Sequence, residues 1–174
     1  MPDSSYDCIV IGSGPGGYVT AIRAAQLGMK TAVVEKDKVG GRCLNYACIP
    51  AKAVLRAADL LTEIDEAGDF GIDVSGRSVN YANVYARREK VISTLVGGVG
   101  GLFKKNKIDL VEGFGAVTDD GNVKVGGNFD GNTIEAKTCV VLATGSIPKP
   151  IPGTEFGGRV IGTEEAWALE DLPA

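Results

Sequence analysis

Histidine is absent from the 174 residues. That removes the side chain most often used as a general base near neutral pH, and also the commonest metal ligand. With four cysteines and no Cys-x-x-Cys pair, a Cys/His zinc site is excluded as well. No apolar run reaches the ~18 residues that a membrane span needs. Eighteen basic and 22 acidic residues give a formal charge of −4, and they are interspersed, so no basic stripe offers a nucleic-acid surface. Aromatic residues make up only 6 %, against 44 % apolar residues and 25 glycines, a balance that suits an α/β nucleotide-binding protein rather than a disordered or fibrous one. The first apolar run starts at Tyr6 after a short polar lead, which leaves no room for a targeting segment. The expectation is a soluble, cytoplasmic protein. A chain of this length forms one domain burying about 70 % of its unfolded surface, or one domain plus a tail.

What is present is ordered punctuation. Tyr6 to Ile11 is a short apolar run of the buried-strand kind. Gly12-Ser13-Gly14-Pro15-Gly16-Gly17 follows, and then the small-residue helical stretch Tyr18 to Leu27. Thr31 to Val34 is a second buried run, ending in Glu35. From Pro50 to Ala67 alanines and leucines recur at helical spacing, and Gly68 is the expected stop. A second helix is expected from Tyr81 to Lys105, containing Gly97-Gly98-Val99-Gly100-Gly101, which marks a break or a close packing contact rather than a phosphate loop, because no strand precedes it. Between Ile108 and Lys137, short alternating runs separated by Asp119-Asp120-Gly121-Asn122 and Gly126-Gly127-Asn128 predict an antiparallel meander. Thr138 to Leu142 is a further buried strand. Pro148, Pro150 and Pro152 then make a stiff exit, and Thr163 to Leu169 a short helix.

Three places carry chemistry. Gly12, Gly14 and Gly17 form Gly-x-Gly-x-x-Gly. The first glycine permits the tight turn, the second the approach of a pyrophosphate and the third close helix packing, while the helix N-terminus meets the anion. Glu35, 23 residues beyond Gly12, is near the ~20-residue spacing of the acidic ribose ligand in dinucleotide folds. Cys43 and Cys48 lie in Gly40-Gly41-Arg42-Cys43-Leu44-Asn45-Tyr46-Ala47-Cys48-Ile49-Pro50-Ala51-Lys52. On one ideal helix their Cα atoms would stand roughly 8.7 Å apart, beyond the roughly 7 Å limit for a disulfide, so the segment must be irregular if they pair. Pro50 fits the first turn of a helix, with Cys48 near its N-terminus and Cys43 in the turn before. As a bare pair they read equally well as two unrelated buried thiols. Lys52, four residues after Cys48, shares its helical face. Cys8 and Cys139, each inside an apolar strand run, read as small core residues. Thr144-Gly145-Ser146 after a buried strand puts a small polar turn at the carboxyl end of a sheet, where ligands bind in open α/β folds.

Taken together, Gly12 to Gly17, Glu35, the Cys43 to Lys52 run and the Ala143 to Ser146 turn resemble the flavin-dependent pyridine nucleotide-disulfide oxidoreductase family. Gly14-Pro15-Gly16-Gly17-Tyr18, the stretch Ala21 to Gly28, Leu44 and Ile49 are closer to its lipoamide branch, the dihydrolipoamide dehydrogenases, than to glutathione or mercuric reductases. The fold implied is α/β: a Rossmann-like three-layer FAD-binding domain with a parallel sheet and an inserted β-meander over residues 1–147, and a connecting segment over 148–174. In such enzymes the first cysteine exchanges with the substrate and the second contacts the flavin, so the resemblance gives Cys43 and Cys48 those roles as a redox-active disulfide. Dihydrolipoamide, carried on a lipoyl domain of a 2-oxo acid dehydrogenase or glycine-cleavage complex, reduces that disulfide, and electrons pass through FAD to NAD. The same resemblance places Gly12, Gly14, Pro15, Gly16, Gly17, Glu35, Lys36, Gly41, Arg42, Cys43, Lys52, Gly115, Ala143, Thr144, Gly145 and Ser146 around FAD, with Glu35 on the adenosine ribose and Lys52 near the flavin ring. It implies no metal.

Arg42 departs from the threonine common before the first cysteine. Family members also carry a second glycine fingerprint for the nicotinamide nucleotide, a later segment that completes the FAD domain, and a dimerisation domain with a histidine base. This sequence has no second Gly-x-Gly-x-x-Gly. The expectation is an N-terminal portion of a longer homodimeric enzyme, inactive alone. The rival readings are a glutathione- or mercuric-reductase-like flavoenzyme portion, and a non-catalytic FAD-binding module or split subunit.

Overall fold

β1 (Ser5–Ile11) carries Tyr6, Cys8, Ile9, Val10 and Ile11 as buried side chains, the near-continuous apolar run of a parallel strand covered on both faces. In the computed structural model, residues 4–126 and 131–172 are described. The elements after β1 are α1 (Pro15–Gln26), β2 (Thr31–Glu35), the one-turn α2 (Gly41–Asn45), α3 (Cys48–Glu66) with a 3₁₀ extension (Ala67–Phe70), α4 (Tyr81–Lys105), β3 (Asp109–Glu112), β4 (Gly115–Val117), β5 (Val123–Val125), β6 (Asn132–Leu142) and α5 (Thr163–Ala168).

One six-stranded sheet runs in the order β3-β2-β1-β6-β5-β4. β3, β2, β1 and β6 are parallel, whereas β4, β5 and the start of β6 are antiparallel. β6 therefore serves both parts: Asn132 to Ile134 pair with β5, and Glu135 to Leu142 run beside β1. Ile9, Ile11, Val34 and Val111 of the parallel strands share a buried cluster with Val123, Val125 and Ile134 of the meander. α1 buries Gly17, Ala21 and Ala24, an i, i+4, i+7 stripe of small residues that lets the helix lie close to β1 and β2. The chain divides into two compact units, Met1–Asn45 with Leu95–Ile147, and Tyr46–Thr94 with Pro148–Ala174. The first holds the sheet. Among the described residues no helix is long and apolar enough to cross a membrane.

The structure corrects several expectations. The run at Ile108 to Glu112 belongs to the parallel sheet, paired with β2, not to the meander: a four-residue strand carries the same alternation in either setting, and its partner is chosen by the crossover through α4. The turn expected at Asp119 to Asn122 joins β4 to β5, whereas Gly127 and Asn128 of the second expected turn lie outside the described residues. The α-helical part of α3 ends at Glu66 with Ala67 as its C-cap, next to the stop expected at Gly68, and a 3₁₀ turn carries the chain on to Gly71, whose φ of 75° is the left-handed cap. The glycines at 97, 98, 100 and 101 neither break α4 nor make close contacts, for a Cβ on any of them would meet nothing within 4 Å. Cys8 is buried as expected, but Cys139 is exposed.

Candidate functional site

The three chemistry-bearing turns of the first unit gather at one edge of the sheet. The parallel strands all point their carboxyl ends the same way, and the backbone ladder continues past them: Gly12 N–H donates to Val34 O, Ala143 N–H to Ile11 O and Gly113 N–H to Glu35 O, each at 2.8–2.9 Å. The glycine turn after β1, the acid ending β2 and the Ala143 to Ser146 turn after β6 are thereby neighbours. Gly12 has φ +99°, and a Cβ there would fall 2.3 Å from Ala143 O, so the two turns touch backbone to backbone. Gly17 packs α1 as tightly, since its Cβ would lie 1.9 Å from Gly12 O. Gly14 is different. It is the N-cap of α1, with Pro15 at the first helical position and no side chain capping the end, and a Cβ at Gly14 or Gly16 would meet nothing within 4 Å. The helix start thus has open space before it, which fits a phosphate group at the positive end of the helix dipole.

Glu35 is 9 % exposed and held from two sides. Ser13 donates to its Oε2 from both the backbone N–H (2.8 Å) and the hydroxyl (2.6 Å), and Asp37 N–H donates to Oε1 at 3.0 Å. Beside this carboxylate opens a cavity of about 290 Å³, lined by Ile11, Gly12, Val34, Glu35 and Lys36, by Gly113 and Phe114 after β3, by Gly115 at the start of β4, and by Thr144 after β6. The Lys36 ammonium stands 5.7 Å from the centre of the Phe114 ring, a cation–π contact. A hollow with apolar walls, one acceptor-only carboxylate and an adjoining open helix start matches a nucleoside diphosphate: base in the hollow, ribose hydroxyls on the acid, phosphates at the helix.

Gly41 and Arg42 open α2. Gly41 has φ +59°, and its Cβ would lie 2.7 Å from Gly14 Cα, so this loop abuts the glycine turn through a residue without a side chain. Asn45 locks α2 by donating to Val39 O (3.0 Å) and Gly41 O (2.9 Å). Cys43 is half-buried on this turn of helix. The chain then leaves helical geometry at Ala47, with φ −128° and ψ −84°, so the segment between the two cysteines is irregular, as pairing requires. Cys48 begins α3, where it is exposed, with Pro50 in the first turn, and Lys52 follows, also exposed. These last two belong to the second unit. Ser13, Gly113 and Phe114 belong to this site without a signal in the sequence that marks them. Ser13 occupies a variable position of the glycine motif, and only contact with Glu35 singles it out; Phe114 is 61 % exposed and has no spacing to mark it.

An open parallel sheet, a glycine turn feeding a helix start and an acid ending the second strand define a dinucleotide-binding domain. The family described as pyridine nucleotide-disulphide oxidoreductase matches residues 6–174, and the chain belongs to that family. It is 44 % identical over 179 residues to the dihydrolipoyl dehydrogenase of Bacillus subtilis, covering 98 % of this chain and 38 % of the relative. It is also 41 % identical to the dihydrolipoyl dehydrogenase of Chlamydia trachomatis over 174 residues (98 % and 37 %), and 42 % identical to that of Staphylococcus aureus over 167 residues (96 % and 36 %). The chain thus spans less than two fifths of these curated relatives. The fold is that of LpdA from Mycobacterium tuberculosis, with a TM-score of 0.78 at 23 % identity over 95 % of this chain and 38 % of that one.

Proposed function

We propose that this chain is the FAD-binding portion of a dihydrolipoamide dehydrogenase, residues 1–147 holding the cofactor and 148–174 connecting onward. The observation that carries the reading is the cavity beside Glu35 together with the uncapped start of α1. Glu35 would accept from the adenosine ribose, Lys36 and Gly115 would border the adenine, and Gly12 to Gly17 with Gly41 and Arg42 would follow the pyrophosphate. Ala143 to Ser146 would line the same edge, and Lys52 would lie toward the flavin. Bound FAD supplies a two-electron carrier. Cys43 and Cys48 form the dithiol–disulfide couple: oxidising dihydrolipoamide to its disulfide releases two electrons and two protons, and reduces the Cys43–Cys48 disulfide to two thiols. NAD is the final acceptor and a lipoyl domain of a 2-oxo acid dehydrogenase complex the donor, in a homodimer of the length of the relatives. The names of those relatives support the lipoamide substrate over glutathione or mercuric ion.

The visible absorption spectrum of the purified chain after loading with FAD and desalting tests the cofactor assignment. Retained flavin bands are expected; a colourless protein would overturn it for this chain. In a form as long as the relatives, Cys43→Ser and Cys48→Ser should each abolish lipoamide turnover, and unaffected turnover would refute the assignment of the couple. The 174 residues alone should hold the flavin without turnover.

A further inference from the structure

We propose that the Ser13 hydroxyl is a positioning group for cofactor binding, which sets the Glu35 carboxylate so that Oε1 is left to receive a ribose hydroxyl. This rests on the reading of the cavity as the adenosine site of FAD.

A carboxylate offers about four acceptor positions, two on each oxygen. In Glu35 both positions on Oε2 are filled by Ser13, through its N–H and its O–H, while Asp37 N–H takes one on Oε1. One position remains, and it is on Oε1. The hydroxyl hydrogen bond is the shortest of the three at 2.6 Å, and Ser13 is fully buried, so water does not compete for it. A hydrogen bond to a charged group in such a setting is among the stronger ones in a protein.

The hydroxyl also works in the other direction. Its Oγ accepts from Gly40 N–H at 3.2 Å, a donor shared with Ser13 O at 3.1 Å. One side chain therefore ties together the glycine turn, the end of β2 and the Gly40–Gly41 loop. With alanine at this position the backbone N–H would still reach Oε2 and Gly40 would still have Ser13 O. The second Oε2 position would fall empty in a dry site, and the carboxylate would turn toward any other donor, including those its ribose position now excludes. Ser13 touches no ligand in this account; it acts through Glu35.

The test compares two probes, ADP and 2′,3′-dideoxy-ADP, which lacks both hydroxyls that Glu35 could accept from. Dissociation constants are measured by calorimetry for the parent chain and for Ser13→Ala. The parent should prefer ADP. Ser13→Ala should weaken ADP by about tenfold while leaving dideoxy-ADP within about twofold, so that the preference collapses. A serine that merely supported the turn would weaken both probes equally; an unchanged preference in Ser13→Ala overturns the proposal. If the parent binds ADP no better than dideoxy-ADP, or binds neither, the reading of the cavity fails instead, because Ser13 is then not in question. Should Ser13→Ala not fold, Ser13→Cys carries the same comparison with the same criteria, since a thiol keeps an atom at the Oγ position, although a larger one, but is a weak donor.

Discussion

Gly17→Ala should unfold the site from beneath the cofactor. In an ordinary helix interior this change gains about 1 kcal/mol, because alanine is the best helix former and glycine among the worst. Here the added Cβ would stand 1.9 Å from Gly12 O, 2.9 Å from Gly12 C and 3.4 Å from the Ala143 Cβ. Restoring ordinary contact at about 3.5 Å requires opening the gap by roughly 1.6 Å. The obstructing atom is a backbone carbonyl, so no side chain can rotate out of the way. Overpacking costs about 1–3 kcal/mol, and the rigidity of both partners argues for the upper figure. Set against the propensity gain, the net loss is roughly 2 kcal/mol, or about 4–8 °C in Tm for a domain of this size. Gly14→Ala is the control. Gly14 has φ −65° and its Cβ would meet nothing within 4 Å, so the stability loss should stay below that of Gly17→Ala, limited to the poorer N-cap propensity of alanine, while the methyl intrudes on the open helix start and weakens flavin binding. Thermal unfolding of the apo chain followed by circular dichroism, with FAD titration by fluorescence, separates the two. An unchanged Tm in Gly17→Ala, or an equal loss in Gly14→Ala, would refute the reasoning.

Two other expectations follow from particular residues. Burial, and then the hydrogen bond and charge of neighbouring Cys139, push the Cys8 thiol up from 9.0 to about 12. The folded chain therefore keeps this proton between pH 9 and 12 while the unfolded chain loses it, so stability should fall as pH rises through that interval; urea midpoints from pH 8 to 11 should drop more steeply for the parent than for Cys8→Ala. Gly71, at φ 75°, closes the 3₁₀ end of α3, so Gly71→Ala should cost about 1 kcal/mol, whereas Gly68→Ala, with no positive φ and open space around its Cβ, should be neutral or stabilising by chemical denaturation.

Where local chemistry dictates a conformation, the sequence was sufficient. The order apolar run, glycine turn, small-residue helix, apolar run, acid can satisfy its backbone and bury its side chains in few other ways, and β1, α1, β2 and Glu35 stand where that order put them. The span of α4 was legible from its helical spacing despite the glycines, because propensity costs of about 1 kcal/mol each are outweighed over 25 residues. What was not legible depends on partners distant in sequence. Nothing in Asp109 to Glu112 says that these residues lie beside β2, and nothing in Cys139 says that its face of β6 is uncovered.

The candidate site divides in the same way. The sequence by itself picked out the groups proposed to meet a dinucleotide: glycines at Gly12, Gly17 and Gly41, where a Cβ would strike backbone, and an acid ending the second strand, whose carboxylate is an acceptor suited to ribose hydroxyls. Tertiary structure alone decided that these groups share one edge of a sheet, that Phe114 and Gly113 enclose the cavity with them, and that a buried serine hydroxyl sets the acid. Those facts come from register and packing between segments up to about 130 residues apart, as Gly12 and Ala143 are, which no local pattern encodes.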